Sequence, residues 1–293
     1  MASQNGYVEI VELLLERGAD VNVMDATDSI TALMMASQNG HTEIVKLLLD
    51  KGANVDVKKT STGTTALLVA SQNGHTEIVK LLLDKGADAN VKKNTTGTTA
   101  LYFASQNGHT EIVKLLLDKG VDIKIKDNTD GVTALWMASQ NGHWEIVKLL
   151  LDKGADVNIK RTTTGAPALL VASQNGHIEI VKLLLDKGAD VNVKKTTTGI
   201  TALWVASQNG HTEIVKLLSD RGASVNVKKI TTGTTALWVA SQNGHTEIVK
   251  LLLDKGANVN VKDITTGLSA LMIAKKMGRK DIVEILESAG KKN

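Results

Sequence analysis

The sequence predicts an all-α repeat solenoid, built from helix-turn-helix units with short β-hairpin fingers. Three observations carry that expectation. The stretch ASQNGHTEIVKLLLDKGA at 36–53 returns letter for letter at 70–87 and 240–257, and near-copies begin at Ala104, Ala138, Ala172 and Ala206. Every step is 34 residues, counted from Ala2 onward, without an insertion. Two glycines punctuate each repeat behind apolar runs too short for a stable isolated helix, so those runs gain stability only by stacking.

Each element follows from the residues of one repeat. Lys194 to Gly199, rich in Lys, Thr and Gly, lacks helical apolar spacing and favours an extended or turning finger. Thr201 then stands as an N-cap before Ala202-Leu203-Trp204-Val205-Ala206, and Asn209-Gly210 ends this short first helix. A second helix is expected from Thr212 to Asp220, with Ile214, Val215, Leu217 and Leu218 on its apolar face and Glu213 and Lys216 outside. Gly222 stops it. On this phase the chain divides into a half-unit at 1–24, full units at 25–58, 59–92, 93–126, 127–160, 161–194, 195–228 and 229–262, and a capping unit at 263–293. The last unit has Glu287 where its predecessor has Leu253, a charge that suits an end cap. The first begins inside its first helix and keeps Leu13, Leu14 and Leu15, so a longer array or a cover over that face is expected. Ser219 replaces a leucine found in the repeats on either side, which predicts a weak joint there.

Composition narrows the function classes. With 42% hydrophobic and 2% aromatic residues the core must come from Leu, Ile, Val and Ala, and a net charge of +3 argues by itself for neither nucleic acid nor membrane. There is no cysteine, which excludes disulfides and thiolate metal sites. The opening MASQNGYVEI lacks a signal-peptide pattern and no apolar run is long enough to span a bilayer, so a cytoplasmic protein without membrane contact is expected. The loop histidines, from His41 to His245, recur one per repeat, too far apart to share an ion at the ~2 Å of coordination; they read as loop braces. No nucleophile motif or phosphate loop occurs, so no catalysis, cofactor or small-molecule substrate is expected.

The frame TALW–A–NGH–EIVKLLL–KGADVN resembles the TPLH–A–GH–EIVKLLL–GADVN frame of the ankyrin repeat, in phase over essentially the whole chain. The tetratricopeptide repeat shares the period but has no place for VNVKKTTTG or for two glycine stops. Ankyrin units usually run ~33 residues, so an enlarged or bulged finger is expected to take up the extra one. The Pro and His of TPLH are replaced, the His by Met34, Leu68, Tyr102, Trp136, Leu170, Trp204, Trp238 and Met272. That exchanges the family's Thr–His hydrogen bonding for apolar packing.

The resemblance implies a non-catalytic scaffold that binds a protein through a concave groove of fingers and first-helix ends. On the helices the candidate contacts are Gln106-Asn107, Gln140-Asn141, Gln174-Asn175 and Gln208-Asn209, a pair that recurs in every repeat before the last. Variable positions are the stronger candidates: Ile30, Val132, Ile200 and Leu268 after the finger glycine, expected to be exposed, and Trp144 after a loop histidine. Trp136, Trp204 and Trp238 are expected half-buried between repeats, with ligand contact as a second role, and Tyr102 shares their slot. A basic stripe including Lys92-Lys93, Lys194-Lys195 and Lys228-Lys229 follows the fingers, interrupted at Met24-Asp25, Lys126-Asp127 and Lys262-Asp263. It suits a solvated edge or an acidic protein partner, and nucleic acid less, because no stacking aromatic accompanies it. The competing reading is a spacer array, natural or engineered, whose near-identical repeats have no specific partner.

Overall fold

The computed structural model describes residues 1–290. Among them are eighteen helices and no strand beyond isolated bridges. The chain forms two compact halves, one of Met1–Ala138 with Glu145–Ala155, the other of Ser139–Trp144 with the chain from Asp156 on. The first holds the pairs α1 (Ala2–Asn5) and α2 (Val8–Glu16), α3 (Ala32–Asn39) and α4 (Thr42–Asp50), α5 (Ala66–Asn73) and α6 (Thr76–Asp84), α7 (Ala100–Asn107) and α8 (Thr110–Asp118). The division falls within α9 (Ala134–Asn141) and α10 (Trp144–Asp152). The second holds α11 (Ala168–Gln174) and α12 (Ile178–Asp186), α13 (Ala202–Asn209) and α14 (Thr212–Asp220), α15 (Ala236–Asn243) and α16 (Thr246–Asp254), α17 (Ala270–Lys276) and α18 (Lys280–Gly290).

The short first helices owe their limits to their ends. Thr31 accepts the Met34 N–H at 3.2 Å, and Thr65, Thr99, Thr201 and Thr235 cap their helices in the same way. Pro167 holds the corresponding place in α11 and offers no side-chain cap. Gly40, Gly74 and Gly210 end their helices in the left-handed conformation, near φ 80°. At Gly74 any Cβ would also stand 2.6 Å from the His109 ring, so both the turn and the packing require glycine.

Stacking supplies what the short helices lack. First helices pack in sequence, α1 on α3, α5 and α7 in one half and α11 on α13, α15 and α17 in the other; second helices do the same. Leu33, Leu67, Ile44, Ile78 and Leu82 are fully buried between them. Each such side chain contributes about 1.5–3 kcal/mol. Ala36, Ala70 and Ala104, with no exposed surface, let neighbouring first helices approach closely. Beside them Ser37, Ser71, Ser105 and Ser207 are buried with unpartnered hydroxyls, whereas Ser241 donates to the Leu237 carbonyl at 2.7 Å. The Ser219 hydroxyl is also buried without a partner, in the slot that Leu49 and Leu83 fill elsewhere.

The fingers are tighter than expected. In place of a β-hairpin there is a turn: the Lys59 N–H donates to Thr64 O at 2.9 Å, and the Gly63 N–H to Lys59 O at 2.7 Å. Because a left-handed residue, Gly165 at φ 67°, Gly267 at φ 71° and Ser29 at φ 55° in the first finger, reverses the chain at once, pairing stops at the single bridges Lys160–Pro167, Lys262–Ser269 and Met24–Thr31. At the ends the repeats differ. In α2 only Val11 is buried, while Tyr7, Ile10, Leu13 and Leu14 are half exposed. In the last repeat Glu287 pairs with Lys275 at 2.7 Å.

Candidate interaction surface

Between the two helices of each repeat, side chains expected to face a partner are engaged with the preceding repeat. His75 Nε2–H donates to the Gln38 backbone carbonyl at 3.1 Å, and Asn73 Nδ2 donates to the same oxygen at 2.7 Å. A carbonyl only accepts, so these imidazoles hold their proton on Nε2. The pattern repeats with His109 and Asn107 on Gln72, His177 and Asn175 on Gln140, and His211 and Asn209 on Gln174. In the last repeat Arg279 takes the histidine's place and donates to Gln242 O at 3.4 Å. These are hydrogen bonds that brace loops.

Two more rows are engaged in the same manner. At the C-terminal ends of the second helices Lys85 pairs with Asp50 and Lys119 with Asp84 at 3.2 Å, Arg221 with Asp186 at 2.7 Å and Lys255 with Asp220 at 2.8 Å. In the following loops Asn22 accepts the Asn54 N–H, Asn90 that of Asp122, and Asn192 that of Ser224, at 2.8–2.9 Å. Exposed pairs of this kind stabilise little, but they occupy the polar groups involved.

The fingers are joined by single backbone bonds, including Asn94 N–H to Thr62 O at 2.7 Å, Ile230 N–H to Thr198 O at 2.9 Å and Ile264 N–H to Thr232 O at 2.8 Å. Three fingers carry an aspartate as their second residue that bonds to its own turn, Asp127 and Asp263 buried and Asp25 exposed. Asp127 Oδ1 accepts from the backbone of Thr129, Asp130 and Gly131 at 2.7–3.1 Å. Burial pushes this carboxyl up, but the N–H groups of Asp130, Thr129 and Gly131 and the Thr129 hydroxyl together hold it below the usual carboxylate range. Asp263 is lowered too, first by the Thr265 hydroxyl and then by backbone N–H groups, against desolvation. Asp25 is lowered chiefly by the Thr27 hydroxyl and the Ile30 N–H. The interruptions expected in the basic stripe are therefore carboxylates engaged within their own turns, while Lys126 and Lys262 remain exposed.

The placement of the candidate residues corrects several expectations. Val132 and Ile200 are buried, and Ile30 and Leu268 are half-buried, so the residues after the finger glycine, or after Ser29 in the first finger, do not form an exposed aliphatic set. The reason is local: their carbonyls close the finger, as Lys195 N–H to Ile200 O at 2.9 Å, and that turn directs the side chains inward. Trp136, Trp204 and Trp238 are buried rather than half-buried. The Trp204 indole N–H donates to Thr234 O at 3.3 Å and that of Trp238 to Leu268 O at 2.9 Å, each gripping the next finger. Lys229 lies 5.6 Å over the Trp204 ring. Tyr102 is half-buried, edge-on to Phe103 at 5.9 Å. Trp144 is 49% exposed.

Gln106 and Gln140 are half-buried, and Gln174 and Gln208 exposed. Asn107, Asn141, Asn175 and Asn209 lie at the surface, with the amides of Asn107, Asn175 and Asn209 bonded as described. Lys92, Lys194 and Lys228 are exposed, and Lys93, Lys195 and Lys229 half-buried. What sequence reading missed is Ile230 and Ile264, 64% and 71% exposed on adjacent fingers, where other fingers carry Thr60, Asn94, Asn128, Thr162 and Thr196. Aligning that column of the repeat was the available signal.

Among the described residues no group of three or more His, Asp or Glu could share a metal ion, and no helix is long and apolar enough to cross a membrane. A family model described as Ankyrin repeats (3 copies) matches residues 1–93, 89–161, 158–229 and 228–293. No curated protein matches the chain.

Proposed function

The chain belongs to the ankyrin-repeat family, and on that premise we propose that it is a non-catalytic scaffold that binds a protein partner through its finger edge and the adjoining first-helix ends. Ankyrin repeats are generally protein–protein interaction modules. One observation supports giving the finger edge the leading part. The rows of loop Asn and His, of helix-end Asp and Lys, and of loop Asx residues are bonded from repeat to repeat, so their uniformity follows from stacking alone. The finger edge varies, and it leaves both cations and aliphatic side chains in water. The eight seven-residue fingers, beginning at 24, 58, 92, 126, 160, 194, 228 and 262, hold twelve Lys or Arg against five Asp, a balance of +7 in a chain whose total is +3. The remainder of the molecule is thus −4, and the positive charge is concentrated where it can steer an acidic partner.

The test is photo-crosslinking in a cytosolic lysate from a probe placed at Thr196, beside one placed at Lys182 on α12. A discrete protein adduct at Thr196, lost when Lys194 and Lys228 are replaced by glutamate in a chain of unchanged helicity, is the expected result. Equal, diffuse labelling from both probes would instead favour an array whose repetition serves only its own stacking.

A further inference from the structure

Four fingers of the second half, from Lys160 to Leu268, lie side by side, joined by Thr197 N–H to Thr164 O at 3.3 Å and by the Ile230 and Ile264 bonds described above. Lys160, Lys194, Lys228 and Lys262 begin them, all exposed. None of the four is in an ion pair among the described residues, in contrast to Arg221 and Lys255 of the same half. The one carboxylate of these fingers, Asp263, is bonded to its own turn. Among the described residues these four lysines therefore have no carboxylate within ion-pair distance.

Ile230 and Ile264 interrupt this polar edge at one position of consecutive fingers. Each lies along the preceding finger: a Cβ on Gly199 would be 2.7 Å from Ile230 Cγ1, and one on Gly233 would be 2.9 Å from Ile264 Cγ2. They nevertheless keep most of their surface in water, which a stacking role alone would not require.

We propose that this edge binds an extended acidic peptide segment whose carboxylates alternate with aliphatic side chains, the aliphatics resting on Ile230 and Ile264 and the carboxylates meeting Lys194, Lys228 and Lys262. The proposal rests on the reading of the fingers as the contact surface and names the chemistry of the partner. An extended strand alternates its side chains, which suits an edge where apolar and cationic groups interleave. A nucleic acid fits less well: the aromatics that contact these fingers, Trp204 and Trp238, are buried with their N–H groups engaged, and isoleucines have no counterpart in a phosphate backbone. An anionic bilayer favours protruding aromatic and leucine anchors, whereas these side chains lie along the edge. A second copy would set like charge against like.

The experiment is fluorescence anisotropy of the full chain with a labelled Glu/Leu alternating peptide, compared with Glu/Ser and Ser/Leu peptides, a single-stranded oligonucleotide and phosphatidylserine vesicles. The Glu/Leu peptide should bind best and weaken with salt. Ile230→Thr with Ile264→Thr, which installs residues native to other fingers, should weaken it ~10-fold. Lys194→Glu with Lys228→Glu should weaken it at least as much and remove most of the salt dependence, and Lys182→Glu on α12 should leave it unchanged. Oligonucleotide, vesicle or Glu/Ser binding as tight as Glu/Leu would overturn the proposal, as would no binding of Glu/Leu. Equal binding of the Ser/Leu peptide would overturn the acidic assignment and leave protein binding by the fingers standing. A finger-specific adduct in the lysate without Glu/Leu binding would do the same, whereas absence of that adduct brings down the underlying reading itself.

Discussion

In the loop between helices, Asn107 and His109 reach the carbonyl of Gln72, and Asn175 and His177 do the same to Gln140. On the finger edge the column beginning at Thr60 continues as Asn94, Asn128, Thr162, Thr196, Ile230 and Ile264. Both rows belong to the same repeats and both are solvent-accessible in part. They differ in what each residue must satisfy. A loop residue has the same two neighbours in every repeat, so any change breaks a bond to the repeat before it. A fingertip residue is held to its neighbour chiefly through the backbone, as at Asn94, Ile230 and Ile264, which every residue type but proline provides; side-chain bonds such as Ser29 Oγ to Thr60 Oγ1 at 2.8 Å belong to single fingers, so the side chain is free to drift or to be selected. Uniform seam and variable edge are two consequences of one stacking rule.

The sharpest way to break that contrast is a seam glycine. Gly74→Ala forces a left-handed backbone and a 2.6 Å approach to the His109 ring. The expected cost is roughly 2–4 kcal/mol, read as a lowered urea midpoint, while Ile230→Thr on the edge should leave the midpoint where it was. A Gly74→Ala chain as stable as the parent would show that the seam is more forgiving than its uniformity implies.

Ser219→Leu comes next, with the opposite sign. It fills a slot that is leucine in neighbouring repeats and removes an unpartnered buried hydroxyl. A gain of roughly 1–3 kcal/mol is expected, together with slower hydrogen exchange of α14, which should be the least protected second helix in the parent chain. Protection of α14 equal to that of α12 and α16 in the parent would remove the weak joint.

Pro167→Thr restores to α11 the cap that Thr201 and Thr235 give their helices. About 1 kcal/mol of stabilisation is expected. No gain would mean that the restricted φ of Pro167 already compensates for the missing cap.

The smallest effect is an acid one on the finger edge. Asp127 and Asp263 are held below the ordinary carboxylate range when folded. Their stabilisation is therefore fully present above the unfolded value, ~3.9, and is lost as pH falls through the depressed folded value. In Asp263→Asn the last finger should exchange faster at neutral pH and lose its acid sensitivity, with Lys195-type fingers unaffected. Unchanged acid sensitivity there would assign the effect to another carboxylate.

The sequence by itself determined the phase of the repeats, the two helices of each, their threonine caps and glycine stops, and the residues of the apolar faces. All of these depend on neighbours within one turn of chain, or on a period that can be counted. The tertiary structure alone decided which surface groups remain available. Asn107 and His109 bond a carbonyl some 35 to 37 positions earlier, a partner supplied by stacking that no local pattern names. Val132 and Ile200 turn inward and Ile230 and Ile264 outward, although all four are aliphatic residues of the same short segment. The difference lies in the handedness of one glycine turn and in the direction each side chain leaves it, and hydrophobicity along the chain does not contain that information.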